Sequence, residues 1–215
     1  MTFARTPRGL IGKVVMLSLA LIGGVLAPGR AALPQSAQDS VRSFYEVLLA
    51  TMKNGPALGQ SGRYAALAPV VNNLFDVPFM ARLAVGPSWD TLSPSQQQQI
   101  VIAFGRYVSA TYADRFDSYS GEELQVTGDE PYGGGVIVET KIIKAGQEPV
   151  TINYMLRHHQ GVWQISDVYL DGTISQLATQ RSEFHSILAR QGVDGLISTL
   201  DHKVSLLTTS PARSP

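Results

Sequence analysis

The sequence predicts an α+β fold, and two observations carry that prediction. Three consecutive runs between Val136 and Ile174, V-I-V-E-T-K-I-I-K, V-T-I-N-Y-M-L-R-H-H and V-W-Q-I-S-D-V-Y-L-D-G-T-I, read as strands, and the first two alternate at period two. The segments on either side repeat apolar residues every three or four positions, the spacing of amphipathic helices. Val136, Val138 and Ile142 therefore share one face of a strand, and Ile152, Tyr154 and Leu156 the matching face of the next. The intervening Glu139, Lys141, Thr151, Asn153 and Arg157 are polar, as in an antiparallel sheet wet on one side. Loops K-A-G-Q-E and H-H-Q-G each offer the glycine that a hairpin turn needs.

The elements follow in chain order. The opening M-T-F-A-R-T-P-R-G-L-I-G-K and the apolar run V-V-M-L-S-L-A-L-I-G-G-V-L-A have the form of an export signal, with cleavage expected near Ala31 or Ala32. An uncleaved anchor is the alternative, but Gly23, Gly24 and Pro28 interrupt the run, which falls short of the roughly 20 apolar residues of a span. Domain organisation is then a signal peptide at 1–31, one domain at 32–208 and a tail at 209–215. Cleavage removes Arg5, Arg8, Lys13 and Arg30, leaving 13 of the 17 basic residues against 17 acidic ones. A mildly acidic chain with scattered Lys and Arg is a poor match for nucleic acid. With no cysteine, an exported domain must rely on its core, which a chain of this size can build.

Val41, Phe44, Tyr45, Leu48, Leu49 and Met52 form one helical stripe from near Ser36 to N-G-P. Leu67, Val70, Val71 and Leu74 mark a second helix over about 62–73, and Phe79, Met80 and Leu83 the expected inner face of a third over 75–85. Ser93, Pro94 and Gln96 spell a helix start with a capping box. The longest helix follows, with Ile100, Val101, Phe104, Tyr107, Val108, Thr111, Tyr112 and Phe116 in register, and it is the expected lid of the sheet. Glu123 to Thr127 supplies a first strand, which makes four, and G-D-E-P-Y-G-G-G a flexible loop. Beyond the meander, Ile174, Leu177, Phe184 and Leu188 mark a helix, and Val193 to Leu207 another behind a break at Gly192.

No nucleophile elbow, H-E-x-x-H, phosphate loop or dinucleotide fingerprint occurs. His158 and His159 point to opposite faces of a strand and His185 and His202 lie on different helices, so no metal and no cofactor are expected. Asp167, beside Trp163 and Ile165, is either a base in an apolar cup or a hydrogen-bonded structural carboxylate; a lone acid favours the second.

Several stretches resemble the MlaC and toluene-tolerance family of periplasmic lipid carriers, auxiliary components of ABC transporters. They are F-D-V-P-F-M-A-R-L-A-V-G-P-S-W, L-S-P-S-Q-Q-Q-Q-I-V-I-A-F, Y-A-D-R-F-D-S-Y-S-G, W-Q-I-S-D-V-Y-L-D-G-T-I-S-Q-L-A-T-Q-R-S-E-F and G-V-D-G-L-I, together spanning about Val41 to Leu207. R-F-D-S-Y-S-G and D-G-T-I-S-Q-L-A-T-Q-R-S-E-F are most similar to the hopanoid-associated HpnM branch. The resemblance implies an NTF2-like fold, with helices wrapped around a curved four-stranded antiparallel sheet. It further implies a monomeric, non-enzymatic periplasmic carrier of phospholipid or hopanoid. Such a carrier would dock transiently on an inner-membrane ABC transporter or RND-type complex and on an outer-membrane lipoprotein. Combined with the stripes, it makes Phe79, Leu83, Phe104, Tyr107, Val108, Tyr112, Phe116, Val138, Ile142, Ile152, Tyr154, Leu156 and Val168 the expected lipid-binding residues. The same stripes would serve a packed core. An enzyme of polycyclic lipids using Asp167 and a scaffold for membrane enzymes are the competing readings.

Overall fold

The computed structural model describes residues 36–209, so the expected signal peptide and most of the expected tail lie outside the described residues. Five helices surround a five-stranded antiparallel sheet of order β1-β2-β3-β4-β5. The α+β fold is the expected one, with five strands where four were expected.

Helix α1 (Ala37–Lys53) starts at Ser36, whose hydroxyl accepts from the Asp39 amide. Helix α2 (Gly55–Leu74) begins seven residues before the start expected at 62, because Gly59 at φ 60° joins a first short piece to it. Helix α3 (Val77–Val85) is capped by Asp76, and a 3-10 turn over Gly86–Thr91 leads to α4 (Pro94–Arg115). The Ser93/Gln96 capping box of α4 forms in both directions.

Strand β1 (Glu123–Tyr132) is twice the expected length. The stretch read as a loop continues the pairing past a bulge between Val126 and Gly128, and only Gly133 and Gly134, both at positive φ, make the turn into β2 (Gly135–Ile143). The third glycine permits close strand packing, since a Cβ on Gly135 would sit 2.2 Å from the Leu156 carbonyl oxygen. Strands β3 (Val150–His159) and β4 (Val162–Leu170) complete the meander, and Asp171-Gly172 turns the chain into β5 (Ile174–Ser175). A second bulge, between Met155 and Leu156 opposite Ser166, lets Ile165 and Val168 both lie on the core face, paired with Leu156 and Tyr154. Helix α5 (Gln176–Thr209) bends at Gly192, at φ 68°, where the sequence shows the break. No described helix is long and apolar enough to cross a membrane.

The helix lying directly on the sheet is α1, whereas α4 packs chiefly on α2 and α5. Two faces of α4 explain this. Ala103, Gly105, Ser109, Ala110 and Ala113 form a small-residue side that allows close approach, with Gly105 so near Val77 and Asn72 that an added Cβ would lie 3.4 Å from each. The buried Arg63 guanidinium of α2 ties the helices together, donating to the carbonyls of Ala113 (2.9 Å) and Gly55 (3.2 Å). The aromatic side of α4 is therefore turned away from α2, although its first members do meet α5, where Phe104 packs edge-on against Phe184 at 5.6 Å.

Candidate functional site: an apolar cavity between the long helix and the sheet

The aromatic stripe of α4 faces a cavity of about 500 Å³, within the size range of ligand pockets. Phe104, Tyr107, Val108, Thr111, Tyr112, Arg115 and Phe116 descend one wall at helical spacing. Ile142, Val150, Ile152, Val168 and Leu170 supply the sheet wall, Phe75 comes from the residue just past α2 and Met80 from α3, and Leu177, Gln176 and Gln180 from α5. The exposed members of the lining, Arg115, Val150 and Asp171, mark the mouth.

Eight of the thirteen expected residues border this space: Phe104, Tyr107, Val108, Tyr112, Phe116, Ile142, Ile152 and Val168. The other five do not. Val138, Tyr154 and Leu156 are fully buried on the half of the sheet face that α1 covers, packed with Val41, Phe44 and Leu48. Of the expected inner face of α3, Met80 is buried but Phe79 and Leu83 are not. Val77, Met80, Ala81, Ala84 and Val85 point inward. Leu83 is 39% exposed, and Phe79 lies under the Arg157 guanidinium at 3.8 Å. Thr111 and Arg115 were legible on the stripe of α4, and Leu170 as the partner of Ile152. Phe75, Met80, Asp171, Gln176, Leu177 and Gln180 meet only through chain reversals that no local pattern encodes.

Phe44 stands behind the cavity wall. Its ring makes edge-on contacts with Phe75 (5.4 Å), Tyr112 (5.0 Å) and Tyr154 (6.2 Å between centroids). Three tyrosines thus collect at the junction of core and cavity. The hydroxyls of Tyr45 and Thr140 are bonded at 2.5 Å, and Thr140 donates its own proton to the Ile152 carbonyl. The Tyr154 hydroxyl makes no well-formed hydrogen bond among the described residues, but it lies close enough to the hydroxyls of Tyr45 and Tyr112 to interact with both. Burial pushes all three phenols above the ordinary tyrosine range.

A phenol whose folded-state pKa is raised stays protonated while its unfolded counterpart ionises near pH 10. Above that pH the unfolded state binds fewer protons than the folded one, so stability is complete below about pH 10 and falls as pH rises further. Denaturant unfolding from pH 8 to 11 should show this decline, and it should shrink in Tyr154→Phe. That substitution removes a hydroxyl without a well-formed bond and should cost less at pH 7 than Tyr45→Phe, which breaks the bond to Thr140 and should cost about 1 kcal/mol. A flat pH profile would show that these phenols are not held in the core.

Asp167 does not border the cavity. It lies on the face opposite Val168, where its carboxylate accepts from the amides of Val168 (2.7 Å) and Leu177 (3.0 Å) and from the Ser175 hydroxyl (2.5 Å). Ser175 in turn accepts from the Ala178 amide at 2.9 Å. The pair caps the start of α5, and every donor it meets belongs to the backbone or the cap, the arrangement of a structural carboxylate. Asp167→Asn should cost about 1–3 kcal/mol without lowering bound cargo per folded molecule. A change below about 0.5 kcal/mol would show that the cap is not structural. Among the described residues, no group of three His, Asp or Glu could hold a metal ion.

Comparison with known proteins bears on the fold and the family. A solved structure of a phospholipid-binding protein from Ralstonia solanacearum, in complex with a phospholipid, shares the fold at a TM-score of 0.67 and 24% sequence identity. The match covers 82% of this chain and 99% of that one. The family model for MlaC protein matches residues 42–202, from the first turns of α1 to the last turns of α5, and the chain belongs to the MlaC family.

Proposed function

We propose that the protein is a periplasmic carrier that holds a lipid, with acyl chain in the cavity between α4 and the sheet and polar group at the mouth. The observation that carries this reading is the segregation of the lining. Its interior is Phe75, Met80, Phe104 and Leu177, and its charged residues, Arg115 and Asp171, are both exposed at the rim. The fold shared with a phospholipid complex supports it. So does the small-residue side of α4, which takes up the close packing on α2 and α3 and leaves Val108, Thr111 and Tyr112 facing the cavity.

Each methylene withdrawn from water contributes about 0.8 kcal/mol, so a dozen held in the cavity amount to roughly 10 kcal/mol. Holding is then stable and unaided release slow. Transient docking on an inner-membrane ABC transporter or RND-type complex, and on an outer-membrane lipoprotein, would open the cavity at each end of the journey. Export by the N-terminal signal belongs to the same reading, as does placement in the HpnM branch on the runs R-F-D-S-Y-S-G and D-G-T-I-S-Q-L-A-T-Q-R-S-E-F.

Mass spectrometry of organic extracts from the purified protein tests the proposal. Stoichiometric phospholipid is the expected result. Hopanoid in its place would support the HpnM branch, and protein free of any lipid after expression in its membrane context would overturn the carrier reading.

A further inference from the structure

The two charged residues at the mouth are of opposite sign and come from different walls. Arg115 is the last residue of α4, and Asp171 sits at φ 50° in the turn between β4 and β5. They do not pair with each other, and among the described residues neither makes an ion pair with any other group. Behind the mouth, Gln180 lines the same cavity half-buried, and its Oε1 is buried without a hydrogen-bond partner among the described residues. A buried amide left unpaired at a cavity wall calls for a partner that enters the cavity. Since the amide can turn either its carbonyl or its NH2 inward, it suits ester linkages as well as hydroxyls.

Resting on the carrier reading, we infer that the mouth selects a zwitterionic glycerophospholipid. The phosphate lies on the Arg115 guanidinium, the headgroup cation on Asp171, and the glycerol esters at the depth of Gln180. The guanidinium fork matches phosphate oxygens in pairs. A carboxylate on the opposite wall attracts a cationic headgroup and gains no charge pairing from one that ends in neutral hydroxyls. An anionic lipid therefore uses only half of the mouth. Both charges are exposed, so the discrimination is modest and screened by salt.

The test uses delipidated protein mixed with vesicles of equal phosphatidylethanolamine and phosphatidylglycerol content, followed by quantification of each lipid recovered with the protein. The wild type should take phosphatidylethanolamine in preference by about two- to five-fold, and less so at high salt. Asp171→Asn should erase the preference; asparagine tolerates the left-handed backbone at this position, so the turn is kept. Arg115→Gln should lower uptake of both lipids. A wild type without preference, or an Asp171→Asn protein that keeps it, overturns the selection while leaving carriage intact. Failure to take up either lipid, from vesicles and from detergent-solubilised lipid alike, overturns the carrier reading itself, and so does displacement of bound lipid by chainless glycerophosphoethanolamine at equal concentration, which would place the binding energy outside the cavity.

Discussion

Val108→Trp is expected to empty the protein of lipid while changing its thermal unfolding little. Val108 is half-buried on the cavity side of α4, between Phe104 and Tyr112 on the same stripe, and a larger side chain there has open space ahead of it. An indole placed in the cavity occupies the path of an acyl chain and removes its own surface from water, so the stability of the lipid-free protein should hold or rise slightly. Lipid content and melting temperature are measured on the same preparation, after delipidation and reloading from vesicles. Wild-type lipid content in a normally folded Val108→Trp protein would place the cargo elsewhere.

Val138→Trp should do the reverse. Val138 is wholly buried, paired across the strands with Tyr154 and covered by α1, so the added volume meets side chains in close contact. Overpacking of this kind costs about 1–3 kcal/mol, occasionally more. For a domain of this size each kcal/mol lowers the melting temperature by about 2–4 °C. Lipid per folded molecule should stay at the wild-type value. A protein that loses its lipid and keeps its melting temperature would show that the cavity reaches under α1.

The contrast between these two valines shows what could be read before the fold was known. Period-two alternation put Val138, Ile142, Ile152, Tyr154 and Leu156 on one face, and the strand register places them together there. Alternation says which face is apolar and nothing about what covers it. The near end, Val138 to Leu156, lies under α1, and the far end, Ile142 and Ile152, opens to the cavity. In the same way, three-and-four spacing identified the aromatic stripe of α4 as a continuous surface. The competing surface of Ala103, Gly105, Ser109, Ala110 and Ala113, which is the one most completely buried, carries too little hydrophobicity to register in such a pattern. Phe79 and Leu83 escape the pattern for a related reason, since the inner face of α3 sets two alanines among Val77, Met80 and Val85, and two large apolar residues lie outside it.

Taken alone, the sequence determined the order of the elements apart from the short β5, the capped start of α4, the break at Gly192 and the apolar face of the meander. These depend on local periodicity and on residues whose backbone preferences act within a few positions. Its resemblance to the MlaC family was legible for the same reason, being spread over stretches that keep their order along the chain. The tertiary structure alone decided which part of the apolar face is packed and which is open. That outcome follows from distances between elements far apart in sequence: the Arg63 tie to Ala113, the close seating of Gly105 on Val77, the Asp167 cap that aims α5, and the β-bulge opposite Ser166. A cavity is the space left when such contacts hold two apolar surfaces apart, and no periodicity in either surface records their separation.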